Sequence, residues 1–513
     1  MPDPPAIPVR PWHHLILGTS VAVLHMLYYL GWSMDDPYIT YRYLEHWVTG
    51  QGLVYNVGDP PVEGFSNFLW MVLLVPWRLA LGMDWVSTGA RLWGFALALA
   101  TGPLLALTWQ RTGPPAKDAA PLWRWLPLHT WALSGPAMFW AVGELEAPLA
   151  AFLMTVLLFG IGAHWDHRLR TAPLMALVLL ALAMTRPEGA MYGVALFAAG
   201  LTRWGRMDAP QRRAWIFTGA LFASGVALYT LWRWHMFGSL LPNTFHAKVG
   251  GSPLTRLLRG FEHDLHLVTV TAGLPVWALL GLWAWPRGAA VRAAALFAAV
   301  QFAFITYVGG DWMPGGRFLV PVVPCLLLLA TAGMRRSWDG LTSVTKKRAL
   351  RDLLILALLV WVGASLIAER IETRLVVTLL RTGELHRPLF EAAEWIERHA
   401  EPEDTLAGEE AGFVPFVTGR RFLDLLALND RHLASLDGDF HSKMDVSYVV
   451  DRWRPDWIIL LTLPDDPAPG QPATALLAQS EAFQSSYTEV HQIPRLGGEQ
   501  VARIYQRTAD QEP

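Results

Sequence analysis

Long apolar runs constrain this chain more than any other feature. Twelve of them fall in roughly the first 370 residues, at about 14–33, 66–83, 87–108, 126–143, 147–163, 172–185, 189–202, 214–235, 264–285, 291–308, 318–334 and 352–368. A helix needs about 20 apolar residues to cross the hydrocarbon core of a bilayer. No water is available there, so only helices and closed barrels satisfy their backbone groups. These runs are too long and continuous for barrel strands, and spanning helices are expected. The whole chain is 53% hydrophobic and only 16% charged, against about 25% charged in an ordinary soluble domain. Trp32, Trp70, Trp77, Trp285 and Trp361 lie near the ends of runs, where aromatic residues anchor helices at the interface. The single cysteine, Cys325, excludes a disulfide within the chain. The first run, with few positive charges and no small-residue cleavage site ahead of Trp32, is expected to be a retained helix.

Lys and Arg in short loops set orientation. They gather in Arg111–Arg124, His167–Arg170, Arg203–Arg213, Arg287–Arg292 and above all Arg335–Arg351. These loops are expected on the cytoplasmic side, with 34–65, 144–146, 186–188, 236–263, 309–317 and everything after 369 outside. An inside start and an outside end need an odd number of crossings. The run 66–83, interrupted by Pro76 and Arg78, is the one expected not to cross, which leaves about 11 transmembrane helices. After 369 the pattern becomes that of a small α/β domain. Glu391–His399 has amphipathic helical spacing, Trp457–Leu461 and Val501–Tyr505 have strand character, and Pro464–Pro472 is a loop. The expected organisation is therefore a polytopic membrane domain over 1–369 and an extracytoplasmic α/β domain over 370–513, in the cell (inner) membrane.

The first outer loop is dense in polar groups. Asp35 and Asp36 end the first run, and carboxylates at a membrane boundary are functional candidates by default. Asp36 also precedes Pro37 and has the form of an N-cap. That leaves Asp35 as the carboxylate free to meet a substrate. In the next helix Ile39, Tyr43 and Trp47 share a face by four-residue spacing, expected to rest on the bilayer or the first helix. No His or Cys spacing typical of a metal site and no glycine-rich nucleotide loop occurs in the sequence. Metal dependence is left open, and a nucleotide-sugar donor is disfavoured. Nothing suggests a nucleic-acid partner.

Several segments taken together carry a resemblance. In the first loop they are Asp35-Asp36-x-Tyr38-Ile39-x-x-Arg42-Tyr43, Gly50-x-Gly52-Leu53-Val54-x-Asn56-x-Gly58-Asp59 and Glu63-Gly64-x-x-x-x-Leu69-Trp70. Further along are Gly143-Glu144-Leu145-Glu146, Arg186-Pro187-Glu188-Gly189, Leu241-Pro242-Asn243-Thr244-x-x-Ala247-Lys248 and Gly309-Gly310-Asp311-x-x-x-x-x-Arg317. Leu423-Asp424-Leu425-x-Ala427-Leu428-Asn429-Asp430 and His441-Ser442-Lys443 complete the set. Their order and spacing resemble the family of GT-C-fold glycosyltransferases that use polyprenyl-phosphate sugars. The resemblance is strongest to mycobacterial terminal β-(1→2)-arabinofuranosyltransferases and bacterial pilin arabinosyltransferases. Two departures stand out: one residue inserted before Glu146, and Ala427 where the family has glycine.

The resemblance implies transfer of a sugar, arabinofuranose by analogy, from a lipid-linked donor to a cell-envelope glycan, lipid or glycoprotein. Such transfer needs a base for the acceptor hydroxyl and positive charge for the departing phosphate. Asp35 is the implied base, with Asp36 the runner-up. Lys248 and Arg317, then Arg186 and Arg42, are the candidate phosphate ligands. Asn56, Glu63, Asn67, Glu146, Asn243, Asp311 and His441 are candidates for sugar or acceptor contacts. Arg186 with Glu188 also has the form of a structural pair, and Arg317 that of a helix anchor at the headgroups. Other sugars, such as mannose or aminoarabinose, remain open. A transporter of lipid-linked sugars is the rival class, although it predicts ionisable groups at mid-membrane, where this sequence has few.

Overall fold

In the computed structural model, residues 11–112, 121–164, 168–271, 273–283, 288–344, 348–465 and 470–508 are described. Of the basic-loop residues, Lys117, His167, Arg287, Lys346 and Lys347 lie outside them, as do Trp285 and 466–469 of the loop Pro464–Pro472. A helical bundle occupies the chain to Glu372, and a five-stranded sheet with flanking helices follows.

The apolar runs became helices, several of them broken. The run 126–143 is two helices, Pro121–Ala132 and Gly135–Ala141, divided before Pro136. The run 318–334 opens as a 3-10 turn over Arg317–Val322, where Pro321 denies the ladder a donor, and continues as Val323–Val344. The run 264–285 is not one straight span. It belongs to Pro253–Val270 and a second helix starting at Leu274, bent by 95°. The 29-residue helix Ala209–Phe237 is bounded as its sequence suggests. Asp208 accepts the Gln211 N–H at 2.8 Å, the Gln211 side chain accepts the Asp208 N–H in return, and Gly238 closes the far end at φ 64°.

By length and apolarity alone, four helices among the described residues suffice to cross a membrane, or five if the bent pair is one span. They are accompanied by shorter apolar helices at Phe68–Leu81, Ala147–Gly162, Ala172–Thr185 and Gly189–Leu201. Helix Ala209–Phe237 exposes Ile216, Phe217, Leu228, Leu231 and Trp234, an apolar edge suited to lipid. Trp32, Trp70 and Trp361, expected at the interface, are instead buried within the protein.

The loops sort to two ends. Thr112 meets Gly162 and Gly288, and Trp123 meets Trp338 and Arg335, all in or beside the basic loops. At the other end the loops 34–65, 144–146, 186–188, 236–263 and 309–317 converge with the sheet domain. The helix Phe68–Leu81 both starts and finishes at this end. Asn67 reaches Glu146, while Arg78 ion-pairs with Glu45 of the first loop and Arg91, just beyond, pairs with Glu144 at 2.6 Å.

The sheet has the order β2-β1-β3-β5-β4, with β1 at Leu406–Gly408, β2 at Phe422–Asp424, β3 at Trp457–Thr462, β4 at Tyr487–Arg495 and β5 at Gln500–Arg507. β1 pairs in parallel with β2 and β3, while β5 pairs antiparallel with β3 and β4. The first-loop helix, Asp36–Val48, does not lie on the bilayer by its Ile39–Tyr43 face. It packs on Phe68–Leu81 and on Phe413–Thr418 of the sheet domain, in one apolar cluster with Leu406 and Phe422. Burial of that face therefore holds the sheet domain against the membrane domain.

The two-ended arrangement predicts a labelling pattern. Gly205 and Gly470 each have room for a side chain. In a Cys325→Ala background, an impermeant thiol reagent should label Gly470→Cys in intact cells, and Gly205→Cys only after permeabilisation.

Candidate functional site

A cavity of about 360 Å³ lies where the loops 34–65, 144–146, 186–188, 236–263 and 309–317 meet the sheet domain. Its charged lining comes from five separate segments: Asp36, Glu146, Arg186 with Glu188, Lys248 with Arg259, and Asp311 with Arg317. His263 and His441 complete the titratable set, and Thr40, Ser66 and Asn67 add neutral polar groups.

Most of these charges are already paired. Arg186 binds Glu146 at 2.7 Å and also Glu188, and its guanidinium lies 4.9 Å from the Phe318 ring centre. Arg317 makes two 2.9 Å hydrogen bonds to Asp311. Gly309, Gly310, Gly315 and Gly316 all take positive φ around this pair, so the chain doubles back and brings the two side chains together. Among the described residues, Asp36, Lys248 and Arg259 line the cavity without an ion-pair partner. Lys248 Nζ lies over the Phe440 ring at 5.7 Å, and Arg259 donates Nε to the Gly309 carbonyl at 3.1 Å. Burial raises the Asp36 carboxyl above its ordinary pKa, against the pull of Arg317 and Lys248. Burial, then Arg317, lowers Lys248. An anion bound beside Lys248 would oppose this shift and favour the charged form.

The two adjacent aspartates are placed opposite to expectation. Asp36 is the first helical residue and makes no capping bond, because the helix begins one residue earlier than the Pro37 argument assumed. Its side chain lines the cavity. Asp35 turns away into the sheet domain, where its carboxylate accepts the N–H groups of Gly412 at 2.7 Å and Phe413 at 2.6 Å. Burial and the neighbouring Glu410 hold its pKa high.

Four other candidates are struts rather than cavity groups. Arg42 is buried and donates to the carbonyls of Tyr55 at 2.6 Å, Arg420 at 2.8 Å and Pro415, so it is not available to a phosphate. Asn56 pairs with both backbone groups of Phe422 at 3.0 Å. Glu63 is buried in a forked pair with Arg233 at 2.8–3.0 Å. Asn243 donates to the carbonyls of Ala427, Leu428 and Asp430. Asn67, Glu146, Arg186, Lys248, Asp311, Arg317 and His441 do reach the cavity. The inserted residue resolves as expected: Glu146 lines the cavity, while Glu144 bonds Tyr41 and Arg91. Ala427 takes φ 67°, a left-handed conformation that glycine would hold without strain.

Arg259 and His263 stand on the helix Pro253–Val270, where the sequence reading expects a loop over 236–263. Their four-residue spacing, with Arg256 three residues ahead, is the helical signal that marks them.

The comparisons agree with this architecture. Residues 378–509 match a family model described only as a domain of unknown function, DUF8728. A terminal β-(1→2)-arabinofuranosyltransferase of Corynebacterium glutamicum is 25% identical over 374 residues, 61% of this chain. The aligned region spans 50% of that relative's length. Among solved structures, ArnT from Cupriavidus metallidurans in the apo state superposes with a TM-score of 0.55 at 14% identity, covering 96% of this chain and 98% of its own. The same protein bound to undecaprenyl phosphate gives 0.54. The archaeal oligosaccharyltransferase AglB from Archaeoglobus fulgidus, with an inhibitory peptide and a dolichol-phosphate, gives 0.54 at 11% identity over 88% of this chain and 69% of its own. At these identities the likeness shows the fold, which is the GT-C membrane architecture. The neighbours in sequence and structure are glycosyltransferases.

The struts and the cavity groups separate in one experiment. Removing one partner of a buried ion pair costs about 3–5 kcal/mol. Glu63→Ala should therefore lower the melting temperature of the purified protein sharply, whereas Lys248→Ala should leave it near wild type. Equal melting of the two variants would contradict the division.

Proposed function

We propose that this protein is a multi-pass membrane glycosyltransferase of about 11 crossings, dividing near residue 370 into a membrane domain and an outer domain. Its cavity opens on the extracytoplasmic face of the plasma membrane, and its donor is a sugar on polyprenyl phosphate. The observation that carries the proposal is the charge balance of the cavity. One carboxylate without an ion pair, Asp36, shares the space with two cations in the same state, Lys248 and Arg259. The fold shared with a protein solved with undecaprenyl phosphate supports the donor. The weak match to an arabinofuranosyltransferase supports a pentofuranose as the transferred sugar and a cell-envelope glycan, lipid or glycoprotein as acceptor.

In this reading the acceptor hydroxyl attacks the anomeric carbon, the bond to the phosphate oxygen breaks, and polyprenyl phosphate leaves with the bonding pair. The hydroxyl proton passes to Asp36. Lys248 and Arg259 hold the phosphate, while Arg317, its charge offset by Asp311, fixes the wall beside them. Asp35 is reassigned from base to anchor: its bonds to Gly412 and Phe413 lock the helix whose first residue is Asp36.

Asp36→Asn keeps the shape and removes the basic group. Its turnover should fall by about 10²–10⁴-fold, measured by mass spectrometry of products from a panel of polyprenyl-phosphate sugars. The wild-type rate should rise with pH through a carboxylate range above the usual one, because the base must be ionised and Asp36 is raised. Transfer from a nucleotide-sugar with the lipid-linked panel ignored would overturn the proposal. So would full activity of Asp36→Asn.

A further inference from the structure

The outer domain sends one loop into the cavity. Phe440 and His441 line it together with Lys248, and the loop that carries them is braced from several directions. Gly250 and Gly251 sit so close to it that a side chain at either would collide with the Gly438 carbonyl or the Asp439 carboxylate. Lys443 reaches across to the carbonyl of His246 at 2.6 Å, two residues before Lys248, and to that of Ala434 at 2.9 Å. The His441 carbonyl accepts the Ala473 N–H at 2.8 Å. Within this frame His441 holds φ 64°, a left-handed conformation that non-glycine residues keep only where the surroundings enforce it. The enforced conformation turns the imidazole into the cavity. The Phe440 ring lies beside it, 3.6 Å between ring centres.

We propose that the Gly438–His441 loop is the element that reads the transferred sugar of the donor. In this assignment His441 hydrogen-bonds a sugar hydroxyl, and Phe440 covers the space between the sugar and Lys248. The inference rests on the donor class given above and names a recognition role for the domain of unknown function. The position argues for the sugar rather than the phosphate. Lys248 and Arg259, the proposed phosphate cations, are both within electrostatic reach of His441. The group covalently next to the phosphate is the anomeric carbon of the sugar. Burial, reinforced by those two cations, pushes the imidazole down to about 4. It is therefore neutral at physiological pH, one nitrogen donating and the other accepting, as suits a hydroxyl better than an anion.

The test compares binding of a polyprenyl phosphate carrying arabinofuranose with binding of the same polyprenyl phosphate without sugar, using the full-length protein in nanodiscs. His441→Ala should weaken the sugar-bearing lipid by roughly tenfold, the scale of one lost hydrogen bond, and leave the sugar-free lipid unchanged. His441→Asn, which tolerates the left-handed backbone and keeps a donor and an acceptor, should recover most of the loss. Lys248→Ala should weaken both lipids together. Unchanged binding of the sugar-free lipid also shows that the His441 variants are folded. An equal loss for both lipids in His441→Ala, or no loss for either, overturns the assignment. If the wild-type protein bound neither lipid, the donor class itself would be wrong, a different failure from this one.

Discussion

A charge taken out of water must be paired, and the site follows from that constraint. A buried ion without a partner costs several kcal/mol, so an enclosed charge left unpaired marks a place prepared for something else. Here the motif residues fall into two groups on that criterion. Arg186 is claimed by Glu146 and Glu188, Arg317 by Asp311, and Arg233 by Glu63. Among the described residues, Asp35, Arg42, Asp424 and Lys443 have no ion pair and are held by hydrogen bonds instead, which leaves Asp36 and Lys248 facing one cavity at the end of the bundle.

Assembly of that cavity depends on the outer domain. Leu428, Phe440 and His441 come from it directly. The orientation of the first-loop helix depends on it too, through Asp35 on Gly412 and Phe413 and through Arg42 on Pro415 and Arg420. The chain thus places its acidic motif just after its first described helix, Pro11–Tyr28, and orients it with residues more than 370 positions later.

Much of this was legible in the sequence, and the gaps have physical reasons. Apolar runs of helical length gave the bundle. Eight of the candidate residues, Asp36 among them, meet in one cavity. The sequence could not say which of Asp35 and Asp36 faces the cavity. Local capping preference favoured one answer, and a contact to a distant domain decided the other. Arg42, Asn56, Glu63 and Asn243 belong to the same signature as the cavity residues but serve as struts. A motif records everything a site needs, including its scaffolding. Helix Pro253–Val270 was cut in two by reading only its apolar half, which hid Arg259 and His263. The short parallel strands β1 and β2, each three residues long, carry too little periodicity to be seen without their partners.

The most direct test of the account is a structure of the protein with polyprenyl phosphate bound. The account places the phosphate between Lys248 and Arg259, inside the cavity and facing Asp36, with Asp35 still bonded to Gly412 and Phe413. A phosphate found elsewhere, for example in the separate pocket beside Arg431 and His246, or one contacted by Arg42 after the outer domain had moved away, would contradict it.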